Sequence, residues 1–536
     1  MSARAVVIGL DGAAWHLLDP VMAREAMPRL AALRAQGASG PLRSTVPTYT
    51  PPAWTSAITG VNPGRHGVYG FVEGNAQSER QELMHSGKLK APALWDMANA
   101  QGASTGIYNV PLTYPPRGVD GWMVSGMMTP GFGERLTGFA APAPLEEAIQ
   151  EVAPGYGCDV SANYEQDWRD TSLCDRALAS LRQRHAVLEM LLTDHPTDLV
   201  FSVLETPDRL QHVYYRYMDP TDRLYASREA TSVRAALDEC WRAMDGIVGL
   251  LVDYAGSEGG ILVCSDHGFT AWEVSVHTNA LLESWGYLRL KGSARVMKSE
   301  MARRLVPVAK RFLPRKLARE AKGKTFAAID WANTRAFASP IPQQGVFVNV
   351  HGRERHGTVS RTELERVKDD LVRRFTALTA PDGQPVTDLV YRSEDVFSGE
   401  AVDGAPDVLP VLRDHRYELD DELFHNEAFT DYSHLPRGVH HPSGIGIVAG
   451  PGTRPGDDLS GSVMDVMPTA LHGADLAVPE GLDGSVLESA FERDALDKQP
   501  VRTVAPLSST SKDESSPYSA DEEAIIEESL RGLGYL

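Results

Sequence analysis

Three aspartates stand at or just beyond the ends of apolar, strand-like runs. Asp11 follows Val6-Val7-Ile8-Gly9-Leu10, Asp208 lies four residues beyond Val203-Leu204, and Asp266 follows Ile261-Leu262-Val263-Cys264-Ser265. In open α/β sheets, ligands gather just outside the carboxyl ends of the strands. Any one such aspartate is ordinary, because loops after strands favour Asp for turn geometry. Their neighbours make these three worth more. His212 follows Asp208 by four residues, so on a helical turn both side chains share a face and can converge on one ion. His267 follows Asp266 directly, and Gly268 would allow the sharp turn that lets both reach a site. Late in the chain, Arg437-Gly438-Val439-His440-His441 offers two imidazoles just before another apolar run. Mixed Asp and His donors suit Zn²⁺ or Mn²⁺ better than Mg²⁺ or Ca²⁺, which prefer oxygen alone.

The remaining chemical feature is Thr50-Pro51-Pro52-Ala53-Trp54-Thr55-Ser56-Ala57-Ile58-Thr59-Gly60. Thr50 has the chemistry of a helix N-cap, Pro51 suits the first helical position and Gly60 can close the helix. A helix N-terminus favours negative charge, so a phosphate or a threonine alkoxide would be stabilised there. Taken alone, a plain cap explains Thr50 better. A hydroxyl is a poor nucleophile near neutrality unless a base or metal activates it, and the Asp/His clusters could supply that metal.

The elements that must position these residues read as α/β. Ala5–Leu10, Asp198–Leu204 and Gly260–Cys264 are too continuously apolar for a half-exposed sheet and fit a parallel sheet covered on both faces. Helical patterns over Leu30–Gln36, Leu178–Asp194 and Ala230–Asp253 separate them, and short strands recur at Gly345–Val350 and Gly444–Ala449. The Pro/Gly-rich stretch 64–155 reads as loops or cap pieces. With 536 residues, 42% hydrophobic and 23% charged, the chain has a globular composition, and it contains no run long enough to span a bilayer. No secretory signal is expected ahead of the first strand. Four scattered cysteines without a C-x-x-C pair point to a reduced, cytoplasmic setting.

A net charge of −20 argues against binding a nucleic-acid duplex. One segment opposes that trend: Lys291 to Lys324 carries twelve Lys or Arg and two acids. Its apolar residues recur at roughly helical spacing. Such a helix could touch an anionic membrane surface, although docking its apolar face on its own protein is the favoured expectation. The Ser/Thr-rich run from Ser508 to Ser516 reads as a flexible linker, and 519–536 as a C-terminal helix with acids in its first turn.

Taken in order, Asp11-Gly12, Thr50 to Gly60, Pro207-Asp208 with His212, Ser265-Asp266-His267-Gly268 and Gly438-Val439-His440 resemble the alkaline phosphatase superfamily. The likeness is greatest to its type I phosphodiesterase/nucleotide pyrophosphatase branch and to bacterial predicted phosphohydrolases and phosphomutases. It covers most of 6–475, and the ending Leu533-Gly534-Tyr535-Leu536 is similar too. The resemblance implies a doubly wound, largely parallel sheet sandwiched by helices, with an inserted cap. The catalytic core would comprise 1–287 and 337–495, the basic cap 288–336 and the linker 496–518. It also implies two divalent ions, Zn²⁺ favoured over Mn²⁺: one held by Asp208, His212 and His440, the other by Asp11, Asp266 and His267 with Thr50 bound to it. His440 is preferred over His441 because the family spacing, Gly-x-His followed after three residues by Gly, ends here at Gly444. Thr50 would attack phosphorus of a small phosphorylated substrate and give a phosphothreonine intermediate.

Two departures matter. No Asn lies between Thr50 and Gly60 to hold a phosphoryl oxygen, so that stabiliser must come from elsewhere. Thr50-Pro51-Pro52-Ala53-Trp54 also lacks the C/S-x-P-x-R signature of a sulfatase. Cleavage of phosphodiester or pyrophosphate bonds is the leading expectation, with a monoesterase or phosphomutase, and a non-catalytic metal-binding homologue, as its rivals.

Overall fold

The computed structural model describes residues 3–78, 81–131, 136–292, 326–339, 345–508 and 515–535. Apart from Lys291 and Gly292, the basic segment lies outside these described residues. The chain forms two compact units, one comprising 1–71, 83–271 and 436–536 and the other 72–82 and 272–435.

The first unit is built on a nine-stranded sheet. In chain order its strands are β1 (Ala5–Leu10), β2 (Ala38–Arg43), β3 (Thr105–Val110), β4 (Gly121–Ser125), β5 (Ala140–Ala141), β6 (Leu199–Leu204) and β7 (Gly260–Cys264). A separate two-stranded ribbon pairs β8 (Gly268–Ala271) with β9 (Gly438–His441). Then β10 (Ser443–Ala449) and β11 (Gly461–Ser462) complete the sheet, whose order is β11-β2-β10-β7-β1-β6-β3-β4-β5. The centre, β7-β1-β6-β3-β4, is parallel throughout, while β10 runs antiparallel to both its neighbours.

The three runs whose unbroken apolarity predicted buried strands are the adjacent central strands β6, β1 and β7. Every residue of β1 and β6 is buried, as a sheet covered on both faces requires. The register Leu10↔Leu204 and Gly9↔Cys264 brings their carboxyl ends level. Asp11, Asp208 and Asp266 therefore leave the sheet side by side.

Helices connect and cover the strands: α1 (Pro28–Gln36), α2 (Thr50–Thr59), α3 (Ser172–Asp194), α4 (Thr206–Met218), α5 (Arg228–Ala255), α6 (Val466–Gly473) and α7 (Ala520–Gly532). The expectation that 64–155 is only loops and cap pieces fails at β3 and β4, which lie inside the main sheet. Their sequences, Thr105-Gly-Ile-Tyr-Asn-Val and Gly121-Trp-Met-Val-Ser, are short and carry Gly or Asn, so periodicity alone does not flag them. Among the described residues, no helix is long and apolar enough to cross a membrane.

One buried histidine secures α2. His66 accepts from the Val68 N–H at Nδ1 (3.1 Å), and its Nε2 lies 3.0 Å from Ser56 Oγ on α2. Burial pushes its pKa down to about 3. The unfolded chain takes up this proton near pH 6.5 and the folded chain only near 3, so stability is complete above 6.5 and declines below it. Urea midpoints are expected to fall from pH 7 to 5. In His66→Gln that slope should be smaller by about 1.4 kcal/mol per pH unit.

The second unit enters the chain between Ala271 and Pro436 and has its own core. A four-stranded antiparallel sheet runs Ala336–Ala338, Val346–Val348, Val408–Leu412, Thr387–Arg392. Leu371 and Phe375 of helix Arg361–Thr376 join Phe337 and Phe347 in one apolar cluster.

Candidate active site

Strand ends, one helix turn and one ribbon bring the seven sequence-predicted residues Asp11, Thr50, Asp208, His212, Asp266, His267 and His440 to one buried place. Asp208 and His212 lie one turn apart on α4. Asp208 Oδ1 is 3.3 Å from His212 Nε2 and 3.3 Å from His440 Nε2, and the two imidazole nitrogens are 2.9 Å apart. Nearby, His267 Nε2 is 3.6 Å from Asp11 Oδ1, 3.3 Å from Asp266 Oδ2 and 4.0 Å from Asp208 Oδ1. Thr50 Oγ1 lies 3.3 Å from His267 Nε2 and is almost fully buried.

His440 is delivered by the ribbon, where it sits opposite Phe269. Side chains alternate along a strand, so His441 points elsewhere, and its Nδ1 accepts from Ser443 N–H at 3.2 Å. Gly268 does not serve as a left-handed turn. It is needed because a Cβ there would stand 2.0 Å from the Ser443 carbonyl oxygen. The true left-handed glycine is Gly12 (φ 72°), whose N–H donates to Asp266 Oδ1 at 3.1 Å.

These groups suit divalent ions, on two observations. First, Asp11 Oδ1, Asp208 Oδ1 and Asp266 Oδ2 are buried and receive no hydrogen bond. Second, each imidazole spends Nδ1 on a backbone carbonyl: His212 on Gly438 (3.2 Å), His267 on Gly268 (3.1 Å) and His440 on Thr48 (3.2 Å). That fixes the tautomer and leaves every Nε2 lone pair facing the cluster. Two groups of ligand type result, Asp208-His212-His440 and Asp11-Asp208-His267, with Asp208 common to both.

The carboxylates are crowded together away from water. Burial, then the nearby Asp266 and Asp208, raises the Asp11 carboxyl well above its usual range, and burial pushes Asp266 up to about 7. Burial also drives His212 down to about 4 and His267 well below the usual range, which keeps both neutral. Asp208 is the exception. Burial works against its charge, yet the guanidinium of Arg209, paired with Oδ2, favours the ionised form and the carboxyl lies below the ordinary range.

Sequence reasoning did not show what fixes these side chains. Trp54 packs in the core against Gly9, where a Cβ would meet its ring at 2.5 Å, and its indole N–H donates to Asp11 Oδ2 at 3.0 Å. Arg209 pairs with Asp208 Oδ2 and with Asp159 Oδ2 (3.0 Å). Tyr164 stacks on His212 at 4.5 Å, and its hydroxyl is 3.3 Å from Asp208 Oδ2. Gln211 Nε2 donates to the Gly12 carbonyl at 2.8 Å. Arg209 and Gln211 flank known positions on α4 and could have been suspected. Tyr164 had no such signal.

Thr50 itself differs from expectation by one position. Tyr49 is the N-cap and Thr50 the first helical residue, so its hydroxyl caps nothing. Pro51 and Pro52 lack N–H groups, and the Ala53 N–H bonds to the Tyr49 carbonyl at 3.1 Å. The start of α2 thus offers an anion few amide donors, and charge must be met by side chains and ions.

The family described as type I phosphodiesterase/nucleotide pyrophosphatase matches residues 5–418, a span containing every candidate but His440. No curated protein sequence matches the chain. Among solved structures, phosphonoacetate hydrolase from Sinorhizobium meliloti 1021 in complex with phosphonoformate superposes with a TM-score of 0.53 at 17% identity. The match covers 88% of this chain and 96% of that one. A variant of the alkaline phosphatase PafA gives 0.50 at 13% identity, over 92% and 99%. At such identities these likenesses establish the fold.

Proposed function

Because the chain belongs to the type I phosphodiesterase/nucleotide pyrophosphatase family of the alkaline phosphatase superfamily, we propose that it is a metal-dependent hydrolase of phosphodiester or pyrophosphate bonds with Thr50 as nucleophile. The observation that carries this reading is the position of Thr50 Oγ1, 3.3 Å from His267 Nε2 at the edge of the paired ligand groups.

Divalent ions, Zn²⁺ before Mn²⁺, would be held by Asp208, His212 and His440 and by Asp11, Asp266 and His267. They would supply Lewis-acid charge neutralisation and make the hydroxyl more acidic. The chain's own residues do the rest. Trp54 and Gly12 N–H orient Asp11 and Asp266, and Arg209 and Tyr164 hold Asp208 Oδ2 so that Oδ1 faces inward. Thr50 Oγ1 forms a bond to phosphorus in line with the departing oxygen, which leaves with the threonine proton. Water then forms a new P–O bond and Oγ1 leaves, regaining a proton. The depth of the site, with Thr50, Asp208 and His267 all buried, keeps bulk water from the reacting atoms. A reduced, cytoplasmic setting belongs to the same reading, supported by four free, buried cysteines.

The test is turnover of matched aryl phosphate diesters and monoesters by protein stripped of metal and then refilled with Zn²⁺ or Mn²⁺. Stripping is expected to abolish turnover and refilling to restore it, with the diester the faster substrate. A faster monoester would move the assignment to a monoesterase or mutase. Equal turnover before and after stripping would refute it.

A further inference from the structure

Residues 515–535 lead the chain to this site. Tyr518 stacks on Tyr114 (5.5 Å, 14°) and donates to the Met128 carbonyl at 3.1 Å, which anchors the segment before α7. Ser519 and Glu522 form a reciprocal cap that starts α7, and Ile526 and Leu530 bury its inner face. At the far end, Gly532 accepts from the Tyr164 N–H (3.0 Å), and a Cβ on it would crowd the Ala162 carbonyl at 2.8 Å. Gly534 then adopts φ 76°, a left-handed turn that suits glycine, and Tyr535 N–H closes it on the Leu530 carbonyl at 2.8 Å.

That turn drives the Tyr535 ring inward. It is 4% exposed, packed 4.9 Å from Phe71 and edge-on to Tyr49 at 5.3 Å. A phenylalanine would fill the same space, so packing does not account for the hydroxyl. Its oxygen lies 3.4 Å from His212 Nε2 and 3.5 Å from Asp208 Oδ2, both at the long limit of a hydrogen bond. Both neighbours are engaged elsewhere. Asp208 Oδ2 already serves Arg209 and Tyr164, and His212 Nε2 is the nitrogen turned toward the ligand cluster. The phenol O–H is therefore held rigidly beside the ligand groups, with only long contacts to them.

We propose that Tyr535 is a substrate-contacting residue, whose hydroxyl donates a hydrogen bond to a phosphoryl oxygen bound beside Asp208 and His212. This rests on the phosphohydrolase reading above and adds to it a donor brought by the turn that follows α7. It also answers the shortage of amide donors at the start of α2, where Pro51 and Pro52 have none to give.

Two probes test it on the full-length, Zn²⁺-loaded protein. In titrations with inorganic phosphate, Tyr535→Phe is expected to bind about tenfold more weakly, as loss of one hydrogen bond to an anion implies. Its metal content and urea midpoint should be unchanged. In turnover assays kcat/KM is expected to fall by about the same factor. A chain ending after Gly532 should reproduce the phosphate defect. Wild-type phosphate affinity in Tyr535→Phe would overturn the proposal, even if the truncated chain binds poorly. Loss of metal from Tyr535→Phe would overturn it by making the phenol a ligand. No phosphate binding by the wild-type protein would overturn it as well. Should the wild-type protein bind phosphate but turn over no ester, the hydrolase reading fails, and the phosphate titration still decides the role of Tyr535.

Discussion

Thr50→Ala protein is expected to keep its fold and its full metal content while its turnover of aryl phosphate esters falls by at least about 10³-fold. The fold should survive because the Thr50 hydroxyl caps nothing and its hydrogen-bond contact is with His267 Nε2 at 3.3 Å. Helix α2 is fixed by other means: Gly60 closes it in a left-handed conformation, His66 meets Ser56, and Trp54 is locked between β1 and the core. Alanine is also a good residue at a helix start. The metal should remain because Asp11, Asp266 and His267 are oriented by Trp54, the Gly12 N–H and the Gly268 carbonyl, none of which depends on Thr50. What disappears is the hydroxyl oxygen proposed to form the covalent bond to phosphorus. Thr50→Ser should recover a substantial part of the rate, since it restores the oxygen and loses only a methyl group. Metal analysis and single-turnover kinetics, run on the same samples, separate a lost nucleophile from a lost ion. A wild-type rate in Thr50→Ala would exclude the proposed mechanism.

Much of this arrangement was legible in the sequence because it depends on local pattern. Unbroken apolar runs marked β1, β6 and β7, and a polar residue just beyond a buried strand has few places to go except the sheet's edge. The four-residue spacing of Asp208 and His212 fixed a shared helical face before any fold was known. The less legible parts depend on contacts distant in the chain. Nothing local to Asp11 announces that Trp54 will orient it, and nothing near Asp208 announces Tyr164 or Tyr535. Gly268 was read for backbone freedom, whereas the structure uses its lack of a side chain beside Ser443. The helix start at Thr50 was displaced by one residue because two successive prolines fit the first turn in either register. That small shift changes the chemistry, since it turns a capping hydroxyl into a displayed one. β3 and β4 were hidden for a different reason. Buried on both faces but short and glycine-bearing, they are set by their neighbours in the sheet rather than by their own pattern.

Asp208→Asn is expected to do more damage than the same change at Asp266, because Asp208 faces both ligand groups. Its Oδ1 lies 3.3 Å from His212 Nε2 and His440 Nε2 and 4.0 Å from His267 Nε2, so one carboxylate serves two neighbouring positions. Asp266 joins only the second group, through Oδ2, while its Oδ1 is occupied by the Gly12 N–H. The asparagine is nearly isosteric and leaves the packing intact, so the change tests charge rather than shape. In Asp208→Asn, bound metal should fall by at least one equivalent and turnover by at least about 10³-fold, given the loss of a ligand charge at the reacting centre. Asp266→Asn should keep the Asp208-His212-His440 ion. The metal-free proteins should differ in the same order. Arg209 loses a buried partner in Asp208→Asn but keeps Asp159 at 3.0 Å, so stability should drop by about 2 to 3 kcal/mol rather than by the cost of a wholly unpaired buried charge. In Asp266→Asn the opposite sign is expected, because removing one of three crowded carboxylates relieves the repulsion that raises Asp11. Equal metal loss in the two variants would mean that the two groups bind as one indivisible site. Full metal content in Asp208→Asn would mean that Asp208 is held by Arg209 as structure and is not a ligand.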